Sequence, residues 1–227
     1  MLSKLLLSTA FIAGMGAAAS AATVTFTQTL GDQTTNFTDR SVGSIAQFDA
    51  SLGTLNSATI TLLGTVSGSV SYESLDAAPS DVTTNISAEI GLSTSALGSL
   101  IVVLPTQEET RSATVFDGSV DFAGTSGGSI TNLTADLSDS VVLTGASLAE
   151  FIGNGFVDFN LAGTGQSSAS GPGNLATIFQ TFAGGTVTVT YDFSDAPAPV
   201  PLPAGGLLLL SGLAGMSVMK RKKKQSA

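Results

Sequence analysis

A two-residue period dominates the middle of this chain, and it limits the fold more than any other feature. Thr23-Val24-Thr25-Phe26-Thr27, Ala58-Thr59-Ile60-Thr61-Leu62 and Thr186-Val187-Thr188-Val189-Thr190-Tyr191-Asp192-Phe193 alternate polar with apolar side chains, and Val82 to Ile90 does so in part. Successive side chains on an extended strand point to opposite faces, so each run has one wet and one dry side. Valine and threonine are stiff at χ1 and suit a pleated surface. Glycines and serines punctuate these runs at turn-like intervals, among them Gly64, Gly91, Gly118, Gly127-Gly128, Gly145 and Gly184-Gly185.

The pattern predicts an all-β domain, an antiparallel β-sandwich with jelly-roll-like character. Strands are expected near 23–30, 42–49, 57–63, 65–74, 82–92, 100–104, 112–123, 129–136, 139–143, 155–162 and 185–193. One helical turn is expected over Ser147 to Ile152, with Ser147 as cap and Glu150 three residues on as in a capping box. The expected core is Phe26, Phe48, Leu52, Leu55, Ile60, Leu62, Phe122, Phe156, Phe159, Val187, Val189 and Tyr191. In Phe48 to Leu55, Asp49 and Ser51 should form a local turn and Gly53 should adopt a positive φ.

The two ends read differently. Lys4 precedes an apolar stretch from Leu5 to Ala18, and small residues follow, as in a secretory leader. Cleavage by a signal peptidase is expected after Ala21 or Ala22. At the other end Val200-Pro201-Leu202-Pro203-Ala204 precedes an apolar run from Gly205 to Met219 and then Lys220-Arg221-Lys222-Lys223-Lys224. As a helix that run reaches about 24 Å, slightly short of the hydrocarbon core. The cations hold the tail on the cytoplasmic side of a membrane, and the prolines favour an accessible extended backbone just outside it. The organisation expected is a signal peptide over 1–22, a sandwich over 23–194, a Pro/Ala linker over 195–199 and a sorting signal over 200–227.

The proline motif, apolar helix and basic tail, in that order, resemble the VPLPA variant of the PEP-CTERM class of bacterial sorting signals. That resemblance implies an exosortase-like membrane enzyme as processing partner, and a destination at the cell surface, outer membrane or extracellular matrix of a Gram-negative bacterium. A permanent tail anchor is the simpler alternative. Phe48 to Leu55 leading into Ser57 to Leu62, Asp121-Phe122-Ala123-Gly124-Thr125-Ser126-Gly127, Phe151-Ile152-Gly153-Asn154-Gly155 and Gly184 to Tyr191 resemble the choice-of-anchor family of bacterial surface domains, closest to its E type. This resemblance implies a fold and a location but no catalytic residue.

The removal of both signals leaves about 175 residues, one domain by length. There is no cysteine, so no disulfide contributes. Of eight cations, Lys4, Lys220, Arg221, Lys222, Lys223 and Lys224 lie in the signals, leaving Arg40 and Arg111 to face seventeen acids. Nucleic-acid binding needs clustered Lys and Arg, so no nucleic-acid partner is expected.

Catalysis is not expected either. Gly124-Thr125-Ser126-Gly127-Gly128 satisfies Gly-x-Ser-x-Gly, but that elbow requires a strand-to-helix corner and a base, and the chain contains no histidine. No cysteine or lysine lies between the signals to replace it. Carboxylate pairs such as Glu108-Glu109 or Asp117 with Asp121 are candidates for glycoside hydrolysis only if they converge. Asp117 with Asp121 and Asp136 with Asp139 are the loose acidic pairs for calcium, without an Asp-x-Asp-x-Asp-Gly loop. No cofactor is expected. The reading is therefore an exported, non-catalytic surface or matrix protein. Its alternatives are a carbohydrate-binding module, with Tyr72 as the exposed aromatic and extracellular polysaccharide as partner, and a calcium-stabilised adhesive domain. Sequons occur at Asn36, Asn85 and Asn132.

Overall fold

Among the described residues the alternation seen in the sequence becomes ten strands and one 3-10 helix. The structure, a computed structural model, describes residues 21–196. The strands are β1 (Ala21–Thr34), β2 (Phe37–Ala46), β3 (Gly53–Ser74), β4 (Ser80–Thr94), β5 (Gly98–Val103), β6 (Thr106–Ala113), β7 (Gly127–Leu143), β8 (Phe156–Gly165), β9 (Ser168–Ser170) and β10 (Leu175–Asp195). One sheet has the order β1-β10-β3-β7 and the other β2-β8-β4-β5, with β6 and β9 flanking the first half of β4. All strand pairs are antiparallel. If β5 with β6 and β8 with β9 are each taken as one interrupted strand, both sheets have the connectivity of a jelly roll.

The dry faces meet in one core. Ala58, Ile60, Leu62, Val66 and Val70 of β3 and Val187, Val189 and Tyr191 of β10 face Ile86, Ile90 and Leu92 of β4 and Val157, Phe159 and Leu161 of β8. Tyr191 is 0% exposed and lies about an aromatic diameter from Phe26, Phe48 and Phe151, with centroids 6.0, 6.1 and 6.3 Å away and rings near edge-to-face. Its hydroxyl donates to the Ala46 carbonyl of the opposite sheet at 3.0 Å. On the wet face of the four-stranded sheet, Thr25, Thr27 and Thr29 sit opposite Thr190, Thr188 and Thr186, with hydroxyl pairs at 3.0, 3.3 and 3.0 Å. Such cross-strand pairs fix register, since a one-residue slip would send every threonine inward.

The strands are longer and fewer than the punctuation suggests. The expected strands 57–63 and 65–74 are one, β3, because Gly64 does not interrupt the ladder. A Cβ there would meet Val103 Cγ2 at 2.5 Å and Ile90 Cδ1 at 3.1 Å, so this glycine lets the facing sheet approach. Likewise 129–136 and 139–143 join as β7. The strand expected over 112–123 is displaced: pairing runs over β6, and most of 114–126 is a loop. Thr106 to Ser112 is polar on both faces, as suits an edge strand paired only with β4, and this removes the alternation that would reveal it. The short β9 and the first half of β10 were also outside the expected strands.

The helical turn is a 3-10 helix over Gly145–Phe151. Thr144, not Ser147, stands at its N-cap, and no side chain caps it. Glu150 instead accepts a hydrogen bond from Thr94 Oγ1 at 3.3 Å. Leu148 and Phe151, three residues apart, share its buried face, as three residues per turn requires.

Three expected core residues are not in the core. Phe156 is 69% exposed because period two on β8 sends Val157, Phe159 and Leu161 inward. Leu52 is 50% exposed at the tip of its turn. Phe122 is partly buried in the loop before β7, at φ 56°. The turn itself is as expected. The Ser51 backbone N–H donates to Asp49 Oδ1 at 2.8 Å, and this bond, followed by the Ser51 hydroxyl, holds the Asp49 carboxyl below its ordinary pKa. Gly53 has φ 152°, and a Cβ there would collide with the Ser194 carbonyl.

Candidate functional site

The sorting residues Val200, Pro201, Leu202, Pro203 and Ala204 lie outside the described residues. Ala21 and Ala22 open β1 and pair with Ser194 and Phe193. A cut after Ala22 leaves Thr23 opposite Asp192 as the first rung of that ladder. Among the described residues no helix is long and apolar enough to cross a membrane.

The carboxylates of Glu108 with Glu109, and of Asp136 with Asp139, do not converge. Glu108 and Glu109 are adjacent on β6 and therefore point to opposite faces, with Glu109 3.2 Å from Arg111. Asp136 and Asp139 lie opposite Thr65 and Leu62, again on opposite faces of the sheet. Asp117 and Asp121 each accept the backbone N–H two residues on, from Ser119 and Ala123, both at 3.0 Å. These are turn-forming bonds. Among the described residues no group of three acidic side chains is placed to hold a metal ion.

Ser126, the central serine of the Gly-x-Ser-x-Gly match, is buried in a loop that leads into a strand, not a helix. Its hydroxyl donates to Glu73 Oε1 at 2.6 Å. Glu73 is 0% exposed at the end of β3, and its other oxygen accepts the Phe122 N–H at 2.8 Å. Glu73 faces Gly127 across the β3–β7 ladder, and a Cβ at Gly127 would press on the carboxylate. The cluster thus pins the 114–126 loop to the sheet. Sequence reasoning missed Glu73; the signal was Gly127-Gly128, small residues that leave room for a carboxylate and for the Tyr72 ring.

Tyr72 is buried with Val82 and Ala113 in a second small core, so it is no surface platform for sugar. Of the sequons, Asn36 sits in the β1–β2 turn with its Oδ1 accepting from Gly165 N at 3.3 Å. Asn132 is exposed at φ 57°. Asn85 lies in a groove.

That groove, about 430 Å³, crosses the outer face of the six-stranded sheet where both neighbours of β4 break. On one side Leu104-Pro105 separates β5 from β6; on the other Gln166-Ser167 separates β8 from β9. Proline has no N–H to continue a ladder, which explains the first break. At the second, Gln166 N and Ser167 Oγ both bond to the Ser87 carbonyl, at 2.8 and 3.4 Å, and Ser167 Oγ also accepts from Ser87 N at 3.2 Å. β4 lays Asn85, Ser87 and Glu89 along the floor at alternate positions. Leu104 and Thr106 form one wall, Gln166 and Ser168 the other. Thr106 Oγ1 donates to Ser87 Oγ at 3.3 Å, while the Asn85 Oδ1 atom is buried with no hydrogen-bond partner among the described residues.

No family model matches this chain, and no curated protein does. Among solved structures it is similar to the infectious bursal disease virus Gx strain structure, at 12% identity and TM-score 0.26, covering 94% of this chain and 54% of that one. The VP2 subviral particle of infectious bursal disease virus gives 12% identity, TM-score 0.24, and coverage of 96% and 54%. The chain spans about half the length of these structures, and similarity this low carries no argument about function.

Proposed function

We propose that this chain is an exported, non-catalytic surface or matrix protein, processed at its N-terminus by signal peptidase and at Val200 to Ala204 by an exosortase-like enzyme. The observation that best supports this reading is the start of the β1–β10 ladder at the expected cleavage point, with Thr23 opposite Asp192 as the first rung left by a cut after Ala22. The sandwich begins on β1 and ends on β10, which are neighbouring strands of one sheet. The Ser126–Glu73 bond supports the non-catalytic part, because the one serine in a nucleophile-like motif is buried and donates its proton to a structural carboxylate. Asp195 is the last residue of β10 and the Ala196 N–H donates to the Leu52 carbonyl at 3.0 Å, so the linker expected over 195–199 would begin after them.

Proteinase K added to intact cells of the native host tests the location. Loss of the domain while a cytosolic marker survives is the expected result. A domain degraded only after lysis contradicts surface exposure.

A further inference from the structure

We propose that the groove over Asn85, Ser87 and Glu89 binds a neutral polyhydroxylated ligand, a short stretch of uncharged glycan. The location proposed above supplies the occasion for such an encounter, but the binding itself is a property of the groove. Its volume falls within the range of about 300–1,000 Å³ usual for small-ligand pockets, at about 430 Å³.

The lining sets the ligand class. Asn85 lines the floor of the groove: its Oδ1 is enclosed without a hydrogen-bond partner among the described residues, and its Nδ2, which is not enclosed and makes no hydrogen bond there, can donate to a ligand hydroxyl. The Glu89 carboxylate, four residues along the same face, is an exposed acceptor. Gln166, Thr106 and Ser168 add amide and hydroxyl groups able both to donate and to accept. Leu104, 48% exposed, offers an apolar surface to the C–H face of a sugar ring. A row of hydroxyls, each donor and acceptor, over a partly apolar ring matches this arrangement.

Charge narrows the class. Glu89 lines the groove, and Glu108, opposite Asn85 on β6, shares its face of the sheet. No cation lines it. A uronate or sulfated chain would bring its anions against these carboxylates without a counter-charge, which disfavours it. With no aromatic platform, a single site is weak, with a dissociation constant on the order of 0.1–1 mM.

The test uses the purified full-length protein in detergent, titrated with cello-, manno- and chito-oligosaccharides and, separately, with oligomers of galacturonate and of alginate. At least one neutral series is expected to bind and the uronates are not. Asn85→Ala and Glu89→Ala should each weaken that binding about tenfold. Neither side chain belongs to the apolar core or makes a hydrogen bond that truncation would strand, so both variants should melt no lower than the parent, and Glu89→Lys should admit uronates. No neutral binding up to about 10 mM, preferential uronate binding, or neutral binding equal in parent and both variants would each overturn the proposal. None of these outcomes bears on where the protein resides, which the protease experiment reads independently.

Discussion

Tyr191→Ala should lower the unfolding free energy of the sandwich by about 3–5 kcal/mol, the range for truncating a large buried aromatic. Tyr191 joins both sheets: its ring contacts Phe26 on one sheet and Phe48 and Phe151 beside the other, and its hydroxyl reaches the Ala46 carbonyl on β2. Tyr191→Phe keeps the packing and loses only the hydrogen bond, leaving the Ala46 carbonyl without that donor, so about 1 kcal/mol is expected. Urea unfolding read by circular dichroism separates the two. The pH dependence gives a further signature. Burial pushes the Tyr191 phenol up to about 12, from an ordinary value near 10. The unfolded chain therefore releases its proton first as pH rises, and the stability associated with the neutral phenol is intact below pH 10 and lost between about 10 and 12. Tyr191→Phe should flatten that alkaline decline. An unchanged decline would mean that another group causes it.

Glu73→Ala is expected to cost about 2–4 kcal/mol, because it strands two buried donors, the Ser126 hydroxyl and the Phe122 N–H. The Phe122 backbone at φ 56° is unusual for a bulky residue and is sustained by that N–H bond. Without the carboxylate the 114–126 loop should detach, and its amides should exchange far faster than those of β3 and β10. Glu73→Gln retains one acceptor but turns an amide N–H₂ toward one of the two donors, so an intermediate loss is expected. Hydrogen exchange that leaves the loop protected in Glu73→Ala would show that the carboxylate is not what holds it.

Much of this architecture could be read from the chain because the outward threonines and inward aliphatics of Ala58 to Leu62 on β3 and Thr186 to Phe193 on β10 alternate, and β4 does so in part. The failures have physical causes. Gly64 was read as a break although its missing Cβ serves packing between sheets. β6 was invisible because an edge strand with both faces wet has no hydrophobic period. Phe156 and Leu52 were assigned to the core by residue type, against the alternation that places their neighbours inside. The groove depends on two ladder breaks that come together only when β5–β6 and β8–β9 flank β4, a juxtaposition no local window of sequence contains. Glu73 was hidden for the same reason, since its partners lie about fifty residues away, with sequence separations of 49 and 53.

Both ends of the sandwich meet where Thr23 pairs with Asp192, and the account rests on what is removed beyond them. Intact-mass measurement of the protein isolated from its native host, with and without the sorting protease, tests this most directly. The predicted mass in the parent strain is that of a chain starting at Ala22 or Thr23 and cut within or beside Val200 to Ala204, and deletion of the protease restores the C-terminal residues. A full-length tail in both strains, or an uncut leader, would contradict it.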